Sequence, residues 1–419
     1  GAYARIRKQF GLSVGRFEGV EEALARIGGK AYAISALSQA TAAAVDRGDV
    51  PSVPSAIAKY HCTNMGRDVA KDVMDIVGGK GIILGPRNFA GRAWQASPIA
   101  ITVEGANIMT RSLLIFGQGS ILCHPYIIKE MRAAQDPDTK AGIQQLDAVL
   151  YPHIGGAISN AVRSFWFGIT GSKIGAVPGD AYTKKFFRKL DRYAANLALL
   201  TDISLGALGG KLKFKESLSG RLGDVLSHLY MMSAVLKLHH DDGTPEADKP
   251  LLAWAFHNSA YEIELALSQA LRNFPIKPLG WLLWPVVFPF GRRHTGPSDE
   301  LDAEVAELIG RSKGDPALEE LLAGCYRPQA EGDPVAALQR ASDLLDDTAP
   351  LRKALHQAIK EGDVQSTAGQ SAIDAALAAG VLQPGEGLRL HEAENARRKV
   401  IDVDAFDKAQ LLAEPGKVR

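Results

Sequence analysis

The sequence predicts an all-α protein. Apolar and small residues recur every three or four positions through most of the 419 residues, which is the spacing of one helix face. Glycine, proline and aspartate turn signals separate these stretches. No run alternates apolar and polar residues long enough to indicate a substantial sheet. We therefore expect helical bundles joined by short connections.

The first predicted domain, residues 1–125, is one such bundle. Apolar and small residues form one stripe over residues 20–45 and a second over residues 57–76. A glycine- and proline-rich loop is expected over residues 78–98. A third helix is predicted to begin just after Glu104, the single acid between a β-branched run and an amphipathic stretch.

Two further domains are predicted after the break near residue 125. Residues 126–296 carry three more stripes at helical spacing, over residues 190–208, 222–236 and 252–271, and should form a second helical bundle. Residues 297–419 alternate short helices with polar turns and should form a small-helix C-terminal region.

Composition narrows the class of protein. The formal net charge is +1, so no bulk field recruits nucleic acid or acidic membranes. The three cysteines, Cys62, Cys123 and Cys325, are far apart in sequence, which suits buried thiols in a reducing cytoplasm. The chain begins at Gly1 in what looks like a helix already under way, with no signal-peptide pattern. We expect it to be the C-terminal part of a longer polypeptide.

An uncharged aromatic segment begins at Pro278 and ends at Phe290. It contains Trp281 and Trp284, and basic residues flank it. It is too short and proline-rich to cross a bilayer, which takes about 20 apolar residues. Two interpretations stay open, namely packing against the bundle and peripheral contact with the inner membrane.

Several patterns suggest sites but fail on inspection. Gly78-Gly79-Lys80-Gly81 lacks the Ser or Thr of a phosphate-binding loop. His239 and His240 are adjacent, so on a helix they point about 100° apart and do not converge on a metal; a solvated helix end is expected. His61 lies on an apolar face and is predicted to be a hydrogen-bonded core histidine. No metal site is predicted.

Three stretches remain as candidates for chemistry. Arg7, Gln9 and Phe10 offer a phosphate-binding guanidinium, an amide and a ring within four positions. Asp75 and Gly79 lie where a helix ends in glycines, which allow close approach of a ligand. Glu104 is either a helix-capping acid or a general base whose pKa is balanced between a helix N-terminus and burial.

In order and spacing these stretches resemble the acyl-CoA dehydrogenases. The resemblance is carried by three motifs and covers about residues 1–120; they are Arg7-Lys8-Gln9-Phe10-Gly11, Ile76-Val77-Gly78-Gly79-Lys80-Gly81 and Val103-Glu104-Gly105-Ala106-Asn107. Asn273-Phe274-Pro275 and the segment around Phe288-Pro289-Phe290 resemble the C-terminal extension of the large proteobacterial members of fatty-acid β-oxidation.

The resemblance implies an activity and a cofactor. It implies FAD-dependent α,β-dehydrogenation of a medium- or long-chain acyl-CoA to the trans-2-enoyl-CoA. Glu104 matches the base that removes the α-proton. Its backbone N–H matches the donor that hydrogen-bonds to the thioester carbonyl. Val103 and Gly105 beside it match substrate-binding positions. The β-hydrogen would leave as hydride to flavin N5.

The resemblance also implies partners. The resemblance implies six flavin-binding positions, most of which would contact the FAD of a neighbouring subunit. They are Arg7, Gln9, Phe10, Asp75, Gly79 and Ala106. A homodimer or larger oligomer follows, with an electron-transfer flavoprotein or another acceptor. Ala106 stands where many relatives have Thr, and Asp75 where Gln is common, which weakens individual flavin contacts.

The family's N-terminal helical and central β domains are missing from this sequence, so we expect the chain to be inactive alone. One alternative is a non-catalytic helical scaffold, derived from the family, that binds a partner or a membrane. A second is an acyl-CoA oxidase, which would reduce oxygen directly.

Overall fold

The structure is a computed structural model that describes residues 1–122, 124–173, 176–311, 314–330, 332–365 and 370–409. These residues are overwhelmingly helical, which confirms the predicted all-α class. The only strands among them form the two-residue antiparallel pair β1 (Lys8–Gln9) and β2 (Leu12–Ser13).

The helices of the first 122 residues are short except for two. In chain order they are α1 (Ala2–Ile6), α2 (Glu18–Asp46), α3 (Ser52–Val77), α4 (Gly79–Ile82), α5 (Gly91–Thr102), α6 (Asn107–Met109) and α7 (Gly119–Leu122). A 3-10 helix covers Val14–Arg16, and a π-helix, Thr110–Gln118, continues α6.

Longer helices follow in the middle of the chain, and short ones at its end. The middle helices are α8 (Ile127–Ala134), α9 (Thr139–Thr170), α10 (Lys184–Leu208), α11 (Glu216–Asp241), α12 (Lys249–Arg272) and α13 (Lys277–Val287), with a 3-10 helix at Gly209–Phe214. The last are α14 (Asp299–Ile309), α15 (Pro316–Leu321), α16 (Pro334–Asp347), α17 (Ala349–Glu361), α18 (Ala372–Ala378) and α19 (Pro384–Ile401).

The predicted loop over residues 78–98 is wrong in part, because α4 and the start of α5 lie within it. The Asn88 side chain explains the difference. Its Oδ1 accepts from the backbone N–H of Ala90 and Gly91 at the start of α5, while its Nδ2 donates to the carbonyl oxygens of Lys80, Gly81 and Ile83. Such capping by a side chain leaves no periodic signal in the sequence.

The chain forms two compact units, each discontinuous in sequence. Unit 1 comprises Gly1–Gly28, Arg67–Ser97 and Asp302–Arg419, and unit 2 comprises Gly29–Gly66 and Pro98–Leu301. The three predicted domains are consecutive instead, and their boundaries stay predictions.

Unit 1 is built around α1. Tyr3 and Ile6 of α1 pack with Ala341 of α16 and Val400 of α19. Arg5 also pairs with Asp346 of α16, with 2.7 Å between Nη2 and Oδ1. A second apolar cluster joins α17, α18 and α19. Segments about 340 positions apart therefore share one core.

Unit 2 is built around α11 and α12, which pack against each other along their length. Both helices bury long apolar faces, including Leu222, Val225, Phe256 and Ile263. A glycine is required at position 29, because a Cβ added to Gly29 would lie 1.9 Å from the Trp254 ring.

The structure also bears on the cysteines and on membrane-spanning helices. Cys62 is half-buried, but Cys325 is exposed, so the prediction of buried thiols is wrong for Cys325; Cys123 lies outside the described residues. Among described helices, none alone has the length and apolar character to cross a membrane; one bent pair, Gly91–Thr102 with Asn107–Leu122, meets those criteria together.

Candidate functional site

Glu104 lies in a tight turn between α5 and α6. Its φ angle is +55°, and that of Gly105 is +87°. Two successive left-handed residues reverse the chain direction, and a non-glycine residue there carries strain. The side chain of Glu104 is exposed, so the predicted burial is wrong. The helix after it begins at Asn107 rather than just after Glu104.

Polar contacts from α3 hold this turn. Lys59 donates from Nζ to the Gly105 carbonyl oxygen at 2.7 Å and to Asn107 Oδ1 at 2.6 Å. Asn107 is buried and donates from Nδ2 to Thr63 Oγ1 at 2.9 Å. Thr110 Oγ1 donates to the Gly105 carbonyl oxygen at 3.3 Å. The left-handed turn is therefore fixed from both sides while the Glu104 carboxylate faces solvent.

The other positions beside Glu104 differ in exposure. Val103 is exposed, and Ala106, the N-cap of α6, is half-buried. Gly105 is exposed and has the left-handed φ that its neighbours' geometry requires. The four residues Val103, Glu104, Gly105 and Ala106 thus form one turn of unit 2.

Arg7, Gln9 and Phe10 form a β-hairpin in unit 1. Phe10 and Gly11 are the two loop residues, both with positive φ, as the type I′ hairpin turn requires. With the Gln9 amide oxygen facing Arg7, it accepts from Arg7 Nη2 at 2.6 Å. The Phe10 side chain is 92% exposed at the hairpin tip. The sequence predicted that Arg7, Gln9 and Phe10 act together, but it did not predict that they lie in a hairpin.

Asp75 and Gly79 lie at the end of α3, also in unit 1. Asp75 is exposed on the last turn of this helix. Gly78, with φ of +63°, separates α3 from α4, and Gly79 begins α4. A Cβ added at Gly79 would meet no heavy atom within 4 Å. The exposed backbone predicted here is present.

The predicted flavin and substrate positions therefore fall into two groups. Arg7, Gln9, Phe10, Asp75 and Gly79 belong to unit 1, and the Glu104 turn belongs to unit 2. Lys59, which holds the turn, was missed by sequence reasoning. A lysine 45 positions before Glu104 has no recognisable pattern, so no signal in the sequence identifies it.

A cluster of histidines and carboxylates joins α8, α9 and α10 in unit 2. His124 Nε2 lies 2.7 Å from Asp202 Oδ1. His153 lies between two acids, with Nδ1 2.6 Å from Glu130 Oε1 and Nε2 3.3 Å from Asp202 Oδ1. Ligand atoms of His124, His153 and Asp202 lie within 4.8 Å of one another, a spacing that could hold a metal ion.

The hydrogen bonds of this cluster favour a bound proton over a metal. The backbone N–H groups of Tyr126 and Ile127 both point at His124 Nδ1, at 3.3 Å. Nδ1 is therefore an acceptor, and the proton of the neutral ring lies on Nε2, toward Asp202. A metal bound to Nε2 would require the proton on Nδ1, where it would face the two backbone N–H donors.

His153 is the histidine that lies between two carboxylates. Burial alone would lower its pKa, but hydrogen bonds to Glu130 and Asp202 outweigh burial and raise the pKa of His153 above its ordinary value. Both ring nitrogens then donate to carboxylates, which only the imidazolium can do. The cluster ties three helices together through this charge.

Two other histidine predictions need correction. His61 is buried, but among the described residues its Nε2 has no hydrogen-bond partner. Its ring instead makes an edge-to-face contact with the His228 ring, with 4.9 Å between the centroids. His239 does not lie at a solvated helix end. It is 0% exposed, and its Nδ1 lies 2.8 Å from Asp248 Oδ1. Tertiary packing buries His239, which the sequence places beside acids, and it encloses His61 without a hydrogen-bond partner for Nε2 among the described residues.

The all-α fold has a counterpart among solved structures. It matches the crystal structure of an acyl-CoA dehydrogenase from Bacillus anthracis, complexed with FAD, with a TM-score of 0.57. Sequence identity is 16%, and the match covers 76% of this chain. At that identity the likeness establishes the fold alone. The chain spans 52% of the length of that solved structure.

Family models identify the chain further. Residues 121–406 match "Acyl-CoA dehydrogenase, C-terminal, bacterial type", and residues 1–115 match "Acyl-CoA dehydrogenase, C-terminal domain". The chain belongs to the acyl-CoA dehydrogenase family. The resemblance carried by the three motifs is confirmed.

Proposed function

We propose that the native protein containing this sequence is a FAD-dependent dehydrogenase of medium- or long-chain acyl-CoA thioesters in fatty-acid β-oxidation. Family membership and the clamped, solvent-facing turn at Glu104 support this proposal. The product is the trans-2-enoyl-CoA. The observation that carries the assignment is the Glu104 carboxylate on a turn that Lys59 holds fixed.

In this proposal Glu104 is the general base. Its carboxylate accepts the α-proton of the thioester, and its backbone N–H donates to the thioester carbonyl oxygen. That hydrogen bond stabilises the negative charge that develops on the oxygen as the proton leaves. Val103 and Gly105, on either side of Glu104, border the hydrogen bond to the thioester. Because Gly105 has no side chain, a thioester can approach the backbone closely.

The residues present fit a flavin. Arg7 supplies a cation suited to a diphosphate, and the exposed Phe10 ring offers a stacking surface. The exposed backbone at Gly79 allows close approach, while Ala106 lies beside the base. Asp75 is an acid at this end of α3, so its carboxylate must point away from a phosphate. FAD, when bound, supplies the hydride acceptor.

The proposed partners follow from the exposed hairpin. A ring as exposed as that of Phe10 suits contact with the flavin of a neighbouring subunit, so we propose a homodimer or larger oligomer. Electrons pass to an electron-transfer flavoprotein or another acceptor. We further propose a cytoplasmic protein with peripheral contact at the inner membrane through the segment from Pro278 to Phe290, supported by Trp281, which is 74% exposed.

The test of the base is the Glu104→Gln substitution in the native protein. FAD content should be unchanged, and dye-coupled oxidation of a long-chain acyl-CoA should fall by roughly 10²–10⁴-fold, the usual contribution of a general base. Glu300→Gln, at an exposed position in α14, is the matched control. Activity near that of the wild type in E104Q would overturn the assignment.

The same assay separates the alternatives. A wild-type protein without FAD or acyl-CoA oxidation would favour a non-catalytic scaffold. Oxidation that releases peroxide at the rate of substrate loss, without an added acceptor, would favour an acyl-CoA oxidase.

A further inference from the structure

Helix α9 presents a long apolar face to solvent. Eight side chains spaced three or four positions apart, or adjacent, are between 38% and 72% exposed. They are Leu150, Tyr151, Ile154, Ile158, Val162, Phe165, Trp166 and Ile169, and we call them the α9 face. Single exposed apolar residues are ordinary, but a continuous set of this length marks a binding surface.

The opposite side of α9 is fixed in unit 2. Ser164 is fully buried, and its Oγ donates to Asn196 Oδ1 of α10 at 2.5 Å. Gly168 lies so close to Pro289 that an added Cβ would be 2.7 Å from the Pro289 ring. The helix therefore cannot rotate to bury its apolar face without losing these contacts.

The α9 face continues into the aromatic segment. Because Gly168 packs on Pro289, the C-terminal half of α9 lies against the end of that segment. Trp281, Leu282 and Phe290 of the segment are also largely exposed. Both stretches thus leave aromatic side chains exposed in unit 2.

The two stretches of chain that carry this surface contain basic but no acidic residues, and Asp147 lies one helical turn before Leu150. Besides His153, residues 148–179 contain no acid and two basic residues, Arg163 and Lys173. Residues 273–298 contain no acid and three cations, Lys277, Arg292 and Arg293. The whole chain is nearly balanced, with 48 basic and 47 acidic residues. The bias is therefore local to the apolar surface.

A buried acid fixes the position of the arginine pair. Glu264 is 0% exposed, and its Oε2 accepts from the backbone N–H of Arg293 at 2.8 Å and of His294 at 3.0 Å. The Arg293 guanidinium lies over the Phe290 ring, 4.9 Å from its centroid. A cation is thus held beside an exposed aromatic ring.

We propose that the α9 face, together with Trp281, Leu282 and Phe290, binds the surface of an anionic lipid bilayer. This extends the membrane contact proposed above and rests on it. An amphipathic helix with Trp and Phe on its apolar face, bordered by cations, suits the boundary between headgroups and acyl chains. A second copy is disfavoured, because a symmetric pair would bring these cations against one another.

The test is flotation of the native protein with vesicles of phosphatidylcholine alone or mixed equally with phosphatidylglycerol. Wild-type protein should float with the anionic vesicles and detach at high salt. The double variant Ile158→Glu, Val162→Glu should lose at least roughly tenfold in partitioning, because two charges enter the apolar contact. Arg292→Gln and Arg293→Gln should each lose about fivefold.

Control variants separate the possible outcomes. Leu388→Glu, at a position in α19 that is 71% exposed, should float as wild type does. Circular dichroism confirms folding of each variant. If Trp281→Ser abolishes flotation while I158E/V162E retains it, the α9 inference is wrong and the contact proposed at residues 278–290 stands. If the wild type does not float, both are wrong.

A different occupant would also be recognised. If I158E/V162E converts an oligomer to a smaller species in sedimentation, and wild-type protein ignores both kinds of vesicle, the α9 face is an interface between copies of this chain and the lipid proposal is overturned.

Discussion

Lys59 and Gly105 are joined by a hydrogen bond of 2.7 Å from the lysine Nζ to the glycine carbonyl oxygen. This bond ties the Glu104 turn to α3. Its donor is charged and its acceptor belongs to a strained, left-handed backbone. The orientation of the proposed base thus depends on a residue that does not touch the reacting atoms.

Replacing Lys59 with Met should therefore impair the base without unfolding the protein. A hydrogen bond to a charged group contributes about 1.5–3 kcal/mol, so kcat should fall by roughly tenfold or more while KM changes little. Steady-state kinetics of the native protein with a long-chain acyl-CoA measures both. Lys59→Arg should restore part of the activity. Lys71→Met, an exposed lysine later in α3, should behave as wild type.

Gly105→Ala should destabilise the protein because φ there is +87°. A Cβ in the left-handed region costs about 1–2 kcal/mol, and the melting temperature should fall accordingly. Gly66→Ala is the matched control, because Gly66 lies inside α3 with open space around an added Cβ. That change should stabilise by about 0.5–1 kcal/mol. Equal stability of G105A and wild type would contradict the left-handed turn.

Because of His153, the stability of the protein should depend on pH above about 6.5. The folded-state pKa of His153 is raised above 6.5, so the folded protein binds the proton more tightly than the unfolded chain. This stabilisation is complete below about 6.5 and is lost as pH rises through the folded-state pKa. Urea unfolding at several pH values measures it. His153→Gln should flatten the profile above pH 6.5, whereas the exposed His356→Gln should not.

The edge-to-face pair His61 and His228 should make the protein less stable at acidic pH. Burial lowers the pKa of both rings, and that of His228 falls to about 4. The unfolded chain therefore binds more protons than the folded protein once pH drops below 6.5, and stability falls. For His228 the full loss is about 3 kcal/mol below pH 4. His228→Leu should reduce this slope, and the exposed His240→Leu should not.

The helical class and the family could both be predicted from the sequence. Apolar spacing predicts helices because a helix repeats its environment every 3.6 residues, and most long stripes indeed lie in helices. The three motifs identify the family as a set, because each is a short, contiguous run of residues and their order and spacing match. The exposure of Glu104 could not be predicted in this way, since burial depends on residues far away in the chain.

Helix starts set by side-chain hydrogen bonds were harder to predict. Asn88 caps α5 inside a stretch that composition marks as a loop. His239 lies beside acids in sequence, but α12 packing encloses it against Asp248. The cluster of His124, Glu130, His153 and Asp202 draws on three helices, so no spacing in the sequence reveals it.

The sequence by itself determined most of the helices, the family and the identity of the proposed base, because each follows from short runs of residues and from their order along the chain. Tertiary structure alone decided that Lys59 holds the Glu104 turn, that His153 lies between two carboxylates, and that α9 leaves its apolar face uncovered. These relationships join residues tens of positions apart. They arise from the packing of whole helices, which local periodicity does not specify.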